Sequence, residues 1–149
     1  MKSLLYILFF TTSFAQIISD YSFTGAKTTA QLGAVVSEQS EVETIFHNPA
    51  GIVDIKNNRI SIGGGNLYGY SWLPIYYIAG VMPILDLGTI GFSFQQFKTE
   101  YGNVTLSKEN IFSIAQGFHI QKDKNSNLSL GYTVNFIQWD LSNSAGISG

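Results

Sequence analysis

Residues 127–139 read Asn127-Leu-Ser-Leu-Gly-Tyr-Thr-Val-Asn-Phe-Ile-Gln-Trp139, and this stretch decides the fold class. Leucine, tyrosine, valine and phenylalanine occupy every second position from Leu128 to Phe136. The positions between them hold serine, glycine, threonine and asparagine. Because successive side chains of a strand point to opposite faces, this period of two predicts a β-strand with one apolar face and one small or polar face.

Four earlier segments are also predicted to be strands. Residues 88–97 and 110–121 alternate in the same way, and their length suits an oblique crossing of a membrane. Residues 60–97 contain a single charged residue, Asp86, but proline and glycine interrupt them too often for a membrane-spanning helix. We therefore predict five strands, near residues 59–66, 75–82, 88–97, 110–121 and 127–139.

The predicted connections alternate in length. Residues 67–74 and 98–109 form long links, whereas residues 83–87 and 122–126 form short ones. Outer-membrane barrels have long outer loops and short periplasmic turns, so this alternation predicts antiparallel hairpins with the N-terminus on the periplasmic side. Aromatic residues near the strand ends are expected at the membrane interfaces: Trp72, Tyr76, Tyr77, Phe97, Tyr101 and Trp139.

The composition favours a membrane barrel over a soluble domain. Only 12% of the residues are charged, whereas soluble domains have about 25%. The formal net charge of −2 gives no reason to expect nucleic acid as a partner, and the lack of cysteine excludes disulfides and thiolate metal sites. A soluble periplasmic β-domain remains an alternative, because soluble antiparallel sheets also alternate.

These patterns predict an all-β protein: the N-terminal part of an antiparallel transmembrane β-barrel with a short helical N-terminal hatch. At about ten residues per strand plus turns, residues 57–149 supply five or six strands. The smallest single-chain barrels have about eight strands. We therefore expect the barrel to be incomplete in this chain.

The N-terminal residues predict an exported protein. Lys2, the apolar run that follows it and the small residues around Ser13-Phe14-Ala15 predict a cleaved signal peptide over residues 1–15. The apolar run is too short to span a bilayer as a helix.

Residues 16–56 are predicted to form the hatch. Ser40 and Glu43 have the spacing of a capping box, which predicts a short helix from this point. Three apolar residues of this helix share one face: Val42, Ile45 and Phe46.

The predicted helix ends at an Asn-Pro-Ala-Gly turn. The proline after Asn48 moves that residue out of the helical region, and Gly51 then allows a sharp turn. The Asn48 amide can satisfy backbone groups inside a lumen, and the small residues near the N-terminus allow close packing. The candidate site residues are Gly25, Gly33, Asn48, Pro49, Ala50 and Gly51. Whether the hatch gates the barrel or only tethers the N-terminus remains open.

No catalytic residue, metal or cofactor is predicted. His47 and His119 lie far apart in the sequence, with no nucleophile placed beside either. We expect His47 to cap or pack the hatch and His119 to line a polar lumen. The glycines of residues 63–65 lack the lysine and the following helix of a phosphate-binding loop, so they are expected to form a bend where the first strand passes the hatch.

Two segments resemble a known family. Gly25-Ala-Lys-Thr-Thr-Ala-Gln-Leu-Gly-Ala34 and Glu43-Thr-Ile-Phe-His-Asn-Pro-Ala-Gly51, with a looser match in residues 87–92, are similar to the N-terminal signature of the long-chain fatty-acid transporter (FadL-like) superfamily. The PorV/PorQ-type branch is the better match. The resemblance implies a bacterial outer-membrane location, outer-membrane lipid as a partner and one of two non-enzymatic functions. One function is to receive cargo proteins in a secretion system and pass them to the surface attachment machinery. The other is passive transport of hydrophobic small molecules.

Overall fold

The computed structural model describes residue 25 and residues 40–84, 87–102, 104–123 and 126–141. The predicted signal peptide, residues 16–24 and 26–39 of the hatch and residues 142–149 lie outside them. Within the described residues, three 3₁₀-helices and five strands follow in the order η1 (Val42–Phe46), η2 (Pro49–Asp54), β1 (Arg59–Asn66), η3 (Leu67–Gly69), β2 (Pro74–Ile84), β3 (Gly88–Tyr101), β4 (Val104–Lys122) and β5 (Asn127–Leu141). No helix in these ranges is long and apolar enough to cross a membrane.

The five strands form one antiparallel sheet in the order β1-β2-β3-β4-β5. Each strand pairs with its neighbours in the sequence, so the chain is a series of hairpins. This confirms the prediction of an all-β chain with antiparallel strands. In the described part of the chain β1 and β5 are the two edges and do not pair with each other, so the sheet is open.

The predicted long link at residues 98–109 is wrong. Strands β3 and β4 continue through it and remain paired up to Tyr101 and Val104, where Gly102 takes a φ of 54° in the turn. The charged residues of this segment suggested a loop, but its tyrosine, valine and threonine residues favour strand, and pairing satisfies their backbone. The strands are therefore longer than predicted, with 14 residues in β3 and 19 in β4.

The two ends of the sheet differ in character. We call the end with the β3–β4 turn and the β1–β2 link the hairpin end, and the end with the β2–β3 and β4–β5 turns the turn end. All six aromatic residues expected at membrane interfaces lie toward the hairpin end of the sheet. Tyr77 and Phe97 also point to the side of the sheet that the hatch covers, because they alternate with the outward residues of their strands.

The sheet has two chemically different faces. The inner face packs against the hatch and is rich in small and polar side chains, whereas the outer face carries large apolar ones. The predicted apolar side chains of β5 are all exposed on the outer face: Leu128, Leu130, Tyr132, Val134 and Phe136, each 49–59% accessible. The predicted alternation is confirmed, and its apolar side points away from the hatch.

The buried core lies between the hatch and the inner face. Its members are mostly large side chains from the hatch and smaller ones from the sheet: Val42, Ile45, Ile52 and Ile55 on the first side, and Ala79, Val81 and Ala115 on the second. The small sheet residues leave room for the isoleucines, so the hatch lies close to the strands.

The predicted capping box is wrong. Ser40 is in the left-handed region, with a φ of 67°, and Glu41 takes the N-cap position without a side-chain hydrogen bond. Glu43 instead accepts a hydrogen bond from the Ser61 hydroxyl of β1. The helix is a short 3₁₀ segment, but its predicted apolar face does pack toward the core.

Candidate functional site: the hatch and its glycine patch

Asn48 begins the second helix of the hatch. Its backbone is extended, with φ −147° and ψ 91°, as the following proline requires. Its Oδ1 accepts a hydrogen bond from the Ala50 backbone N–H over 3.1 Å, and Pro49 takes the first helical position, where a missing N–H costs little. The predicted Asn-Pro-Ala-Gly turn is present as the start of η2, because the Gly51 N–H donates to the Asn48 carbonyl over 2.8 Å, and the buried Gly51 does so without a positive φ.

Three inner-face glycines lie beneath the hatch, and we call Gly91, Gly117 and Gly131 the glycine patch. Gly117 of β4 and Gly131 of β5 are register partners. A Cβ atom added to Gly117 would lie 2.6 Å from the Pro49 carbonyl oxygen, and one added to Gly131 would lie 2.8 Å from Ala50 Cα. Because both neighbours are backbone atoms, the start of η2 rests on the sheet where only glycine leaves room.

Gly91 of β3 receives the apolar side chains of the hatch. A Cβ atom there would lie 2.6 Å from Ile45 Cδ1 and 3.4 Å from Ile52 Cδ1. Ile52 is fully buried, and Thr89 Oγ1 donates to the Val53 carbonyl over 3.4 Å. The hatch therefore contacts β3 mainly through side chains, and β4 and β5 through its own backbone.

Hydrogen bonds from β1 hold the first part of the hatch. Arg59 Nη1 donates to the Ser40 carbonyl over 3.0 Å, and the Ser61 hydroxyl donates to the Glu43 carboxylate. The Ser40 N–H donates to the Gly51 carbonyl over 3.0 Å, which joins the two hatch helices to each other. The position of η1 thus depends on residues of both the sheet and η2.

The glycine run of β1 makes room for an aromatic contact with the hatch. The Tyr77 ring of β2 covers Gly63 so closely that a Cβ atom there would overlap it. Phe46 packs edge-on against Tyr77, with ring centroids 5.6 Å apart. The run is part of a regular strand and is followed by a three-residue 3₁₀-helix, so these glycines serve packing beside the hatch and no phosphate-binding loop is formed.

A charged cluster connects the end of the hatch to β4. The Oδ1 atom of Asp54, the last residue of η2, lies 3.1 Å from Lys122 Nζ and 3.3 Å from His119 Nε2. The other ring nitrogen of His119 lies 3.0 Å from Ser129 Oγ. The Asp54 and Lys122 side chains are 28% and 56% exposed, and ion pairs this exposed contribute at most about 1 kcal/mol. The cluster therefore orients the end of η2 more than it stabilises it.

Four of the six predicted site residues come together at the start of η2: Asn48, Pro49, Ala50 and Gly51. Gly25 is buried and has a φ of 108°, a conformation that favours glycine. Gly33 lies outside the described residues. The glycine patch was not predicted, because it depends on the register that opposes Gly117 to Gly131 and on the position of the hatch above them.

The geometry of the site is that of a docking contact. Among the described residues, no group of three or more His, Cys, Asp or Glu side chains is arranged to hold a metal ion. His47 is the C-cap residue of η1, where its backbone N–H donates to the Thr44 carbonyl over 3.0 Å, so its predicted position at the end of the helix is confirmed. His119 lies on the inner face and contacts Asp54 at the hatch end. What the arrangement can do is hold a short segment against an open sheet.

Comparisons with known proteins identify no relative. No protein-family model, no curated protein and no solved structure matches the chain. The resemblance of the hatch segments to one family therefore stays a prediction.

Proposed function

We propose that the five strands are part of the wall of a bacterial outer-membrane β-barrel. We further propose that the protein is a non-enzymatic component of a secretion and surface-attachment system, similar to PorV/PorQ-type proteins. In this proposal lipid contacts the outer face, the hatch fills the interior and residues 1–15 are the export signal. The exposed outer face carries the membrane assignment, and the resemblance of residues 25–34 and 43–51 supports the secretion role.

The outer face exposes large apolar side chains on all five strands. They lie in two neighbouring cross-strand rows: Ile60, Phe92, Ile114 and Val134 in the first, and Ile62, Ile78, the half-buried Phe94, Phe112 and Phe136 in the second. Leaving such a surface in water costs about 25 cal/mol for each Å², and connected apolar patches this wide mark an interaction surface. Lipid covers all five strands at once, which favours a membrane over a local partner.

The apolar part of β5 has the length of a membrane crossing. Leu128 to Phe136 spans about 27 Å along a strand at about 3.4 Å per residue. At a tilt of about 40° this length rises about 21 Å, close to the apolar band of about 25 Å in outer-membrane barrels. Gln138 and Asp140 follow on the same face, so the polar part begins where the band ends.

The open edges of the sheet support a barrel that includes further strands. The outer edges of β1 and β5 have no partner strand in the described part of the chain. Unpaired backbone groups cost several kcal/mol each in hydrocarbon, and a closed barrel removes them. Since about eight strands is the minimum for such a barrel, strands additional to these five belong to the proposal.

The packing of the hatch favours the secretion component over a channel. The backbone of Pro49 and Ala50 fits against Gly117 and Gly131, so sliding the hatch along the strands brings its backbone against residues with a Cβ atom. A segment held in this way covers the inner face around the glycine patch. A soluble periplasmic domain is disfavoured, because nothing in the described ranges covers the outer face.

Passive transport of hydrophobic small molecules is the second candidate. Toward the hairpin end, the inner face of β5 exposes three apolar side chains, Ile137, Trp139 and Leu141, each 45–49% accessible. Apolar linings with few polar groups are typical of sites for hydrophobic ligands. This function additionally requires a path past the hatch.

Fractionation and cysteine labelling of the full-length protein test the membrane assignment. We expect the protein in the outer-membrane fraction, resistant to alkaline extraction. A cysteine in place of Tyr101, at the hairpin end, should react with an impermeant reagent on intact cells, whereas one in place of Asp123, at the turn end, should not. Recovery in the soluble periplasm would contradict the barrel, and the reverse labelling would contradict the orientation.

The variant Gly131→Ala separates the two candidate functions, because it disturbs the hatch and leaves the outer face unchanged. For a secretion component we expect less cargo at the cell surface and no change in the uptake of a hydrophobic dye. Normal cargo display with altered dye uptake would instead identify the transporter.

A further inference from the structure

We propose that Lys98 and Lys108 together bind the phosphate of an anionic lipid headgroup at the hairpin end of the outer face. The inference rests on the proposed contact of this face with lipid. It adds a headgroup site to that contact and assigns the anionic side of the membrane to the hairpin end.

Both lysines extend the outer face beyond its apolar rows. Lys98 of β3 and Lys108 of β4 are register partners, four residues along their strands from the paired Phe94 and Phe112. The two phenylalanine rings are in contact, with centroids 4.7 Å apart. Four residues correspond to about 14 Å of strand, or about 10 Å of height at a tilt of about 40°. The ammonium groups therefore reach the headgroup layer when the rings lie in hydrocarbon.

A pair of amides separates the lysines from the phenylalanines. Gln96 and Asn110 are register partners between the two levels, and Gln96 Nε2 donates to Asn110 Oδ1 over 2.9 Å. Amides that satisfy each other are suited to the boundary between hydrocarbon and headgroups, where water is scarce. The order of aromatic ring, amide and ammonium along two adjacent strands follows the order of layers in a lipid leaflet.

The two ammonium groups repel each other unless an anion lies between them, because like charges at opposed positions destabilise a sheet. The nearby carboxylates compensate only in part. Glu100 Oε1 is 4.0 Å from Lys98 Nζ, the limit of an ion pair. Asp140 is the register partner of Lys108, but it accepts a hydrogen bond from Gln138 over 3.4 Å. Phosphate oxygens accept hydrogen bonds from both ammonium groups and replace the repulsion with attraction.

The turn end offers no comparable pair of cations within the described residues. Lys122 contacts Asp54 of the hatch there. The outer face at that level presents Gln116 and Tyr132, which are hydrogen-bonded to each other. Among the described residues, the hairpin end is therefore the place where two cations face each other across neighbouring strands of the outer face.

Lipid binding by the full-length protein in bilayers tests this inference. Spin-labelled phosphatidylglycerol and phosphatidylcholine are compared by the fraction of each lipid that the protein immobilises. The wild type should prefer phosphatidylglycerol, and each of Lys98→Gln and Lys108→Gln should reduce the preference about fivefold. Lys56→Gln removes an exposed cation at the end of the hatch and is the matched control, which should keep the preference.

Three results would overturn the headgroup site: no preference in the wild type, an unchanged preference in both single variants and the double variant, or an equal loss in Lys56→Gln. Excess inorganic phosphate should not displace the lipid. Displacement would reassign the lysines to free phosphate and would also overturn the proposal. Failure of the wild type to insert into any bilayer would instead contradict the proposed membrane function, so the two failures are distinguishable.

Discussion

Replacing Gly131 with alanine should lift the hatch from the sheet. The added Cβ would overlap the Ala50 nitrogen and the Pro49 carbonyl carbon and would lie 2.8 Å from Ala50 Cα, whereas unstrained carbon contacts are about 3.5–4.0 Å. The hatch backbone must therefore move by more than about 1 Å. Overpacking of this kind destabilises by about 1–3 kcal/mol. Alanine also makes the unfolded chain less flexible than glycine does, which offsets about 0.4–1 kcal/mol of that loss. We expect a net loss of about 1–2 kcal/mol in hatch docking.

Two further glycines provide graded controls. A Cβ atom on Gly80, on the outer face of β2, would have ordinary contacts of 3.8 Å to the Arg59 carbonyl and 3.9 Å to Ile60 Cγ1, so Gly80→Ala should leave the hatch unchanged. Gly91→Ala would press on Ile45 Cδ1 at 2.6 Å, the end of a side chain that can rotate away. Its effect should lie between those of Gly80→Ala and Gly131→Ala.

Hydrogen exchange of the hatch amides measures the loss. The N–H groups of Ala50 and Gly51 both donate to Asn48 within the hatch. A helical segment this short is marginal in water once it no longer packs on the sheet, so these bonds open when the hatch lifts. A loss of about 1–2 kcal/mol should speed their exchange about 5- to 30-fold, with little change in the central strands. If Gly131→Ala exchanges at the same rate as Gly80→Ala, the backbone contact with the glycine patch does not hold the hatch.

Asn48→Ala should destabilise the hatch by about 1 kcal/mol because it removes the N-cap of η2, whereas Asn48→Asp should retain the cap. Exchange of the hatch amides measures both variants, and equal effects would contradict the capping role. Asp54→Asn should cost at most about 1 kcal/mol, and the effect should shrink at high salt because its partner Lys122 is exposed. A cost independent of salt would contradict the ion pair. Val134→Arg should cost about 2–4 kcal/mol near the membrane midplane, whereas Asn135→Arg on the inner face should be tolerated. Immunoblots of outer-membrane fractions measure this difference, and equal losses would contradict the assignment of faces.

The strands and their faces were predictable because their signal is local. The alternation within residues 127–139 assigns Val134 to one face and Asn135 to the other, and the burial along β5 agrees up to this point. A shift of one residue inverts every side chain of a strand, so a clear alternation specifies the faces together with the strand.

The β3–β4 hairpin shows where charge misled the prediction. The charged residues of the segment 98–109 suggested a loop, although Gly102-Asn103 is a two-residue turn signal between Tyr101 and Val104. Strand formation there depends on pairing across the turn, which composition does not report. Greater weight on the turn dipeptide would have identified the hairpin.

The candidate site was predictable only on its hatch side. The extended Asn48 and the helix start at Pro49 follow from local rules for proline and N-caps. The capping-box prediction was wrong because the Glu43 carboxylate accepts a hydrogen bond from the Ser61 hydroxyl of β1, a residue that lies nearby only in the folded protein. The glycine patch depends on the strand register and on the position of the hatch on the sheet. Neither can be predicted from a short segment of sequence.

The proposed contact of the outer face with lipid can be tested with a pair of labels at adjacent positions of β5. Phe136 and Ile137 are neighbours on β5, both apolar, exposed by 59% and 45%, and on opposite faces. Each is replaced by a single cysteine carrying a fluorophore in the full-length protein, inserted in bilayers that contain brominated lipid. The account predicts strong quenching at position 136 and little at position 137. Equal quenching at both positions, or none at either, would contradict it.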